Sequence, residues 1–170
     1  MKKVICVALC FVALGLFAGC KEQKKETTHD VDIAYFADMG AMPESDFKLG
    51  ESIPEITEDT TDYFSSNDGK NTFVTNGEFY YYYDEGEKDP KIKSIAAFSK
   101  GMGFEIGAIS IEVTKALDSQ DVKYKTRDAK ADEIDFLPAA EGRETIECEG
   151  LKHNLIFVFE ENALCAIYMD

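Results

Sequence analysis

Chemistry needs side chains that can ligate, attack or carry protons, and this 170-residue chain offers few of them in a usable pattern. Its two histidines, His29 and His153, stand far apart, and neither has a serine or cysteine beside it. Ser110 lacks the G-x-S-x-G elbow that would expose a nucleophile. Gly101-Met102-Gly103-Phe104-Glu105-Ile106-Gly107 falls between a predicted strand and a predicted helix, where a phosphate-cradling loop would sit. Its third glycine comes one position late for G-x-G-x-x-G, Glu105 would repel phosphate and no second βαβ unit follows, so turn glycines are expected. Asp84, Glu85, Glu87 and Asp89 could offer oxygens to calcium, but they lack the alternating spacing of an EF-hand, and a solvated hairpin loop is expected instead. These residues predict no catalytic set, no metal site and no cofactor; a hydrolase built on paired carboxylates is the alternative.

Two cysteines in the body of the chain, Cys148 and Cys165, fall on predicted strands separated by a third. In a meander that places them roughly 10 Å apart, too far for a disulfide. Two buried thiols behaving as small apolar residues are expected.

Composition narrows the partners. The chain carries 33 acidic against 18 basic side chains, a net charge of -15. This argues against nucleic acid and against an electrostatically docked membrane face, both of which need basic patches. Aromatic residues are plentiful enough from Phe47 onward to build a core.

The first stretch is of another kind. Met1-Lys2-Lys3 is a short basic segment and Val4 to Ala18 is uninterruptedly apolar. That is short for a membrane-spanning helix, which needs roughly 20 residues, and it ends in small side chains, as a signal peptide does. Leu16-Phe17-Ala18-Gly19-Cys20 then resembles the lipobox of bacterial lipoproteins, with Phe17 where leucine is usual and Leu16 one position further back. The resemblance implies that residues 1–19 are removed and that Cys20 carries a diacyl or triacyl anchor, which holds a protein stably on a membrane where one chain alone is marginal. Localisation on a bacterial cell membrane or outer membrane follows. Residues 20–46 are the lipid-bearing cysteine and an expected tether that opens from Lys21 as KEQKKETTHD, polar and aperiodic, and in which Val31 to Met42 docks as a short strand or turn.

The remainder contains a repeat. Phe47-x-x-Gly50 followed by Glu55 and Thr57 returns as Phe104-x-x-Gly107 followed by Glu112 and Thr114, each residue displaced by the same interval. Two tandem units, 47–100 and 101–170, fused into one domain, are expected. In each, a short helix precedes an antiparallel meander. Ser52-Ile53-Pro54-Glu55 has capping-box form for the first helix; Ser110 caps the second, with Ile109, Val113 and Leu117 as its buried stripe. Strands are expected at Tyr63-Phe64, 72–75, 78–83 and 91–99, and again at 122–126, 144–149, 154–160 and 163–169, punctuated by Asn67-Asp68-Gly69, Asn76-Gly77 and Glu161-Asn162. Phe47 and Phe104 should occupy equivalent buried positions.

Strand alternation puts Phe79, Tyr81 and Tyr83 on one face and Tyr80 and Tyr82 on the other. The first set is expected in the core. Tyr80 and Tyr82 are then exposed candidates for binding a protein partner, since tyrosine combines apolar area with a hydroxyl at little entropic cost.

The order F-x-[LI]-G, short helix, aromatic strand, acidic turn and then KIKSIAAFS or LCAIYM resembles a repeated domain of small lipoproteins of anaerobic bacteria, from about Phe47 to the end. The arrangement is also similar to the β-lactamase inhibitor protein fold and to SmpA-type outer-membrane assembly lipoproteins. These resemblances imply an α+β fold with short helices on one face of an antiparallel sheet, and a protein-binding role for the sheet. The expected function is therefore a membrane-anchored, non-enzymatic interaction module, with an envelope assembly lipoprotein as the alternative.

Overall fold

The computed structural model describes residues 29–53, 63–67, 72–129 and 143–170. Within them the chain forms an antiparallel eight-stranded sheet, a two-stranded ribbon and two short helices, an α+β arrangement. The elements run α1 (Ile33–Met39), β1 (Phe64–Asn67), β2 (Thr72–Thr75), β3 (Phe79–Tyr83), β4 (Ser94–Ala97), β5 (Lys100–Gly101), β6 (Phe104–Glu105), α2 (Ser110–Ser119), β7 (Lys123–Asp128), β8 (Arg143–Glu149), β9 (Leu155–Glu160) and β10 (Ala163–Met169). The expected helix after Ser52 falls mostly on residues 54–62, and the Asp68-Gly69 turn and the connection around Pro138 also lie outside the described residues.

The sheet order is β1-β2-β3-β4-β10-β9-β8-β7. Strands consecutive in the chain pair antiparallel within each half of the sheet, and the β9–β10 turn shows why. Glu161 and Asn162 both hold positive φ, 50° and 68°, the geometry of the two-residue loop whose twist matches the strands it joins. What closes the sheet is the non-local pair β4–β10, where Tyr168 lies opposite Ala96, between the pairs Ile167–Ala97 and Met169–Ile95.

The segments ahead of the two meanders make the same bonds. Gly50 N–H donates to the Ile92 carbonyl (2.8 Å) and Ile92 N–H to that of Glu51 (2.9 Å); Gly107 N–H donates to Leu164 (2.8 Å) and Leu164 N–H to Ala108 (2.8 Å). Gly50 and Gly107 both hold φ in the left-handed region, 83° and 100°, which only glycine adopts without strain. Phe47 meets Tyr81 edge-on at 5.5 Å and Phe104 meets Phe157 edge-on at 5.6 Å. The two phenylalanines differ in depth, however: Phe104 is buried and Phe47 only half-buried, contrary to expectation. The difference has a cause in His29, whose ring stacks on Phe104 at 4.3 Å.

That contact also corrects the tether. His29, expected in solvent, bonds through Nε2 to the Met102 carbonyl (2.8 Å), and Gly103 opposite it has no room for a side chain, since a Cβ there would lie 2.8 Å from both the His29 ring and Val31. Residues 33–39 are a helix where a strand or turn was expected. Asp32 caps it by accepting from Tyr35 N–H (3.0 Å), Gly40 ends it at φ 68°, and Ile33 and Ala37, one turn apart, bury its inner face. Gln120 fixes its start, accepting from Ile33 N–H (2.9 Å) and donating to the Val31 carbonyl (2.7 Å).

In α2 the cap is Ile109, and the first turn is held by Glu112, whose carboxylate accepts from Ile109 N–H (3.4 Å). Ser110, expected as the cap, is instead the first helical residue and its hydroxyl bonds Asn162. Ile109 is therefore 42% exposed and drops out of the expected stripe, which is completed by Val113, Ala116 and Leu117. The helices' buried residues join one core with Val74, Phe79, Tyr81, Ile95, Ile146, Leu155, Phe157, Phe159 and Ile167 of the sheet. Tyr81 is sealed into it, its hydroxyl 2.9 Å from Ser45 Oγ.

Candidate functional site

Alternation sorts β3 as expected, with Phe79 and Tyr81 in the core and Tyr83 packed against it, while Tyr80 and Tyr82 share the other face. Their exposure is not as expected. Tyr82 is 3% exposed and Tyr80 half-buried, because the neighbouring strands fill this second face with large side chains of their own. Phe73 on β2 lies 5.2 Å from the Tyr80 ring and 5.5 Å from that of Tyr82, and Phe98 meets Tyr80 edge-on at 5.1 Å. Ala96, Ile156, Val158, Ala166 and Tyr168 continue the cluster across β4, β10 and β9. Spacing along one strand gives the side a residue faces; how deep it sits depends on strands far away in sequence.

Beyond β9 the same face turns ionic. Arg127 Nε and Nη2 both reach Glu147 Oε2, at 3.1 and 2.8 Å, and Lys125 Nζ reaches Oε1 at 2.8 Å. Burial alone would raise the Glu147 carboxyl, but the two cations outweigh it and hold the group below the usual carboxylate range. A depressed folded pKa stabilises the fold above the unfolded value of about 4.3, and that contribution is lost as pH falls through the folded one. Glu147→Gln is accordingly expected to lower the melting temperature at neutral pH and to flatten the acid limb of a stability-versus-pH curve below about pH 4, as followed by circular dichroism. An acid limb as steep as the wild type's would mean that other carboxylates carry it.

The cysteines lie on strands separated by β9 and on opposite faces, Cys148 in the main core and Cys165 beside the second cluster, and both are free thiols. Cys165 is only half-buried, unlike the expectation for both. Burial pushes the Cys148 thiol up to about 12, with the Glu147 charge adding to it, so it is not a nucleophile at neutral pH. Two of the acidic loop's four carboxylates are paired with lysines just after it: Asp84 with Lys93, and Asp89 with Lys91 (2.8 Å) while accepting from Ser52 Oγ (2.6 Å). The glycine run forms the β5–β6 ribbon, with Met102 and Gly103 at its turn.

A second concavity was not foreseen. The end of α1, the turn at 48–50, the approach to β4 and the β8–β9 turn enclose a cleft of about 560 Å³, lined by Asp38, Met39, Lys48, Leu49, Lys93, Lys152, His153 and Asp170 among others. In a chain of net charge -15 this gathers three lysines and a histidine. Asp38 is engaged, accepting from Lys152 N–H at 2.7 Å. No sequence signal could find the cleft, because its residues come from five separate stretches.

Set against known proteins, the chain matches no family profile, no curated sequence and no solved structure.

Proposed function

We propose that the chain is an exported lipoprotein, anchored in a bacterial membrane through lipid on Cys20, whose sheet serves as a protein-interaction module. The membrane half rests on the apolar stretch and the lipobox-like Leu16-Phe17-Ala18-Gly19-Cys20. The interaction half is carried by one observation, the second sheet face. A sheet with one face in the core needs only polar side chains on the other, yet here Phe73, Tyr80, Tyr82, Phe98 and Tyr168 are spent there beside a rim of ion pairs. Aromatic centres with charged margins are the composition of protein interfaces.

We infer further that the sheet is two tandem units, each contributing a four-stranded meander. The reading is supported by the paired bonds of Gly50 and Gly107, by the Phe47–Tyr81 and Phe104–Phe157 contacts, and by the self-complementary register about Ala96 and Tyr168.

Phe73→Ser combined with Tyr80→Ser tests the face while sparing the deeper Tyr82. The lipidated wild-type chain, captured from its own membranes, is expected to bring a specific protein that the double variant loses while keeping its circular dichroism spectrum and cooperative melting. An unchanged capture from the folded double variant would overturn the assignment of this face.

A further inference from the structure

The end of the molecule that carries α1 combines three features. Tyr35 and Met39, one helical turn apart and so on one face, are 57% and 48% exposed. Met39 also lines the cleft, where Lys48 and Lys152 project with exposed side chains that make no ion pair among the described residues. An apolar stripe edged by free lysines is the pattern of a surface resting at a bilayer interface, apolar groups below the headgroups and ammonium groups at phosphate level. The third feature is distance. His29 is docked on Met102 and Phe104, and the nine steps from Cys20 to His29 span at most roughly 30 Å when fully extended.

We propose that this end is a membrane-seating surface, with Tyr35 and Met39 entering the interface and Lys48 and Lys152 meeting lipid phosphate. The proposal rests on the anchoring of Cys20. Two side chains would not hold a free protein on a membrane. An anchored one needs far less, because a short tether keeps the surface at an effective concentration on the order of millimolar, and a weak contact is then populated. The chain's overall acidity fixes the kind of lipid. A zwitterionic bilayer offers phosphate without a negative surface potential to repel the remaining carboxylates, Asp38 and Asp170 in the cleft among them. Seated this way, the protein would have a fixed orientation instead of tumbling on its tether.

The chain has no tryptophan, so Tyr35→Trp installs a single reporter at an exposed position that folding does not depend on. The full lipidated variant is placed in phosphatidylcholine vesicles with and without brominated acyl chains, and Ile111→Trp, at a residue 52% exposed on the first turn of α2, serves as the reference for exposure alone. Expected results are a blue-shifted Tyr35→Trp emission quenched by brominated lipid, little quenching of Ile111→Trp, and weaker quenching of Tyr35→Trp once Lys48→Glu and Lys152→Glu are added. Protein that floats with the vesicles while Tyr35→Trp and a second reporter, Met39→Trp, stay unquenched would overturn the seat and leave the anchor standing. Protein that does not float would overturn the anchor and the seat with it. Quenching indifferent to the two glutamates would remove the lysines from the proposal.

Discussion

Replacing Phe157 by Ala is expected to lower the free energy of unfolding by about 3–5 kcal/mol, the range for deleting a ring from a core that cannot close around the gap. Phe157 is fully buried, lies opposite Ile146 and Ile167 in register and takes the edge of Phe104 at 5.6 Å. Its strand has a hydrogen-bonded neighbour on each side, so the backbone cannot move in to fill the space left by the ring. Domains of this size hold only about 5–15 kcal/mol in total, and each kcal/mol moves the melting midpoint by about 2–4 °C, so the loss should be plain in a thermal scan. Tyr81, which meets Phe47 as Phe157 meets Phe104, is expected to show a comparable loss on truncation to Ala. Tyr81→Phe should cost less, about 0.5–1.5 kcal/mol per hydrogen bond lost, because it keeps the ring and removes only the hydroxyl, which bonds Ser45 and Tyr63. A cost below about 1 kcal/mol for Phe157→Ala would mean that β9 is not held between its neighbours as described.

Local signals found most of the strands. β2 is where the sequence places it, β8, β9 and β10 begin within a residue of expectation, and α2 starts one residue earlier than a Ser110 cap would put it, since alternation, helical spacing and Asn-Gly or Glu-Asn turns all act over a few residues. α1 was missed although its signals are present: Asp32 and Gly40 are ordinary caps, but seven residues give too little periodicity to outweigh a polar, tether-like context. The contact of His29 with Phe104 joins residues 75 apart in sequence, and the β4–β10 pairing joins residues about 70 apart; no window of sequence contains either. The same limit explains Tyr82, placed on the correct face by alternation but buried by partners that the pairing of distant strands assembles.

Cys20→Ser is expected to move the protein from the membrane fraction to the soluble one, the largest change that one substitution should produce. Each buried methylene of an acyl chain contributes about 0.8 kcal/mol, and two chains make attachment effectively stable, so under the proposed anchoring at Cys20 the loss of that thiol abolishes it. Among the described residues no helix is long and apolar enough to cross a membrane, and the net charge of -15 gives no attraction to an anionic surface. Tyr35 and Met39 can add contact area only once the chain is already held. The wild-type protein should therefore resist a high-salt wash, since hydrophobic anchoring is not screened, while the variant should be released even at low salt with its circular dichroism spectrum unchanged. Retention of the Cys20→Ser protein through that wash would transfer the anchoring role to the uncleaved apolar stretch from Val4 to Ala18.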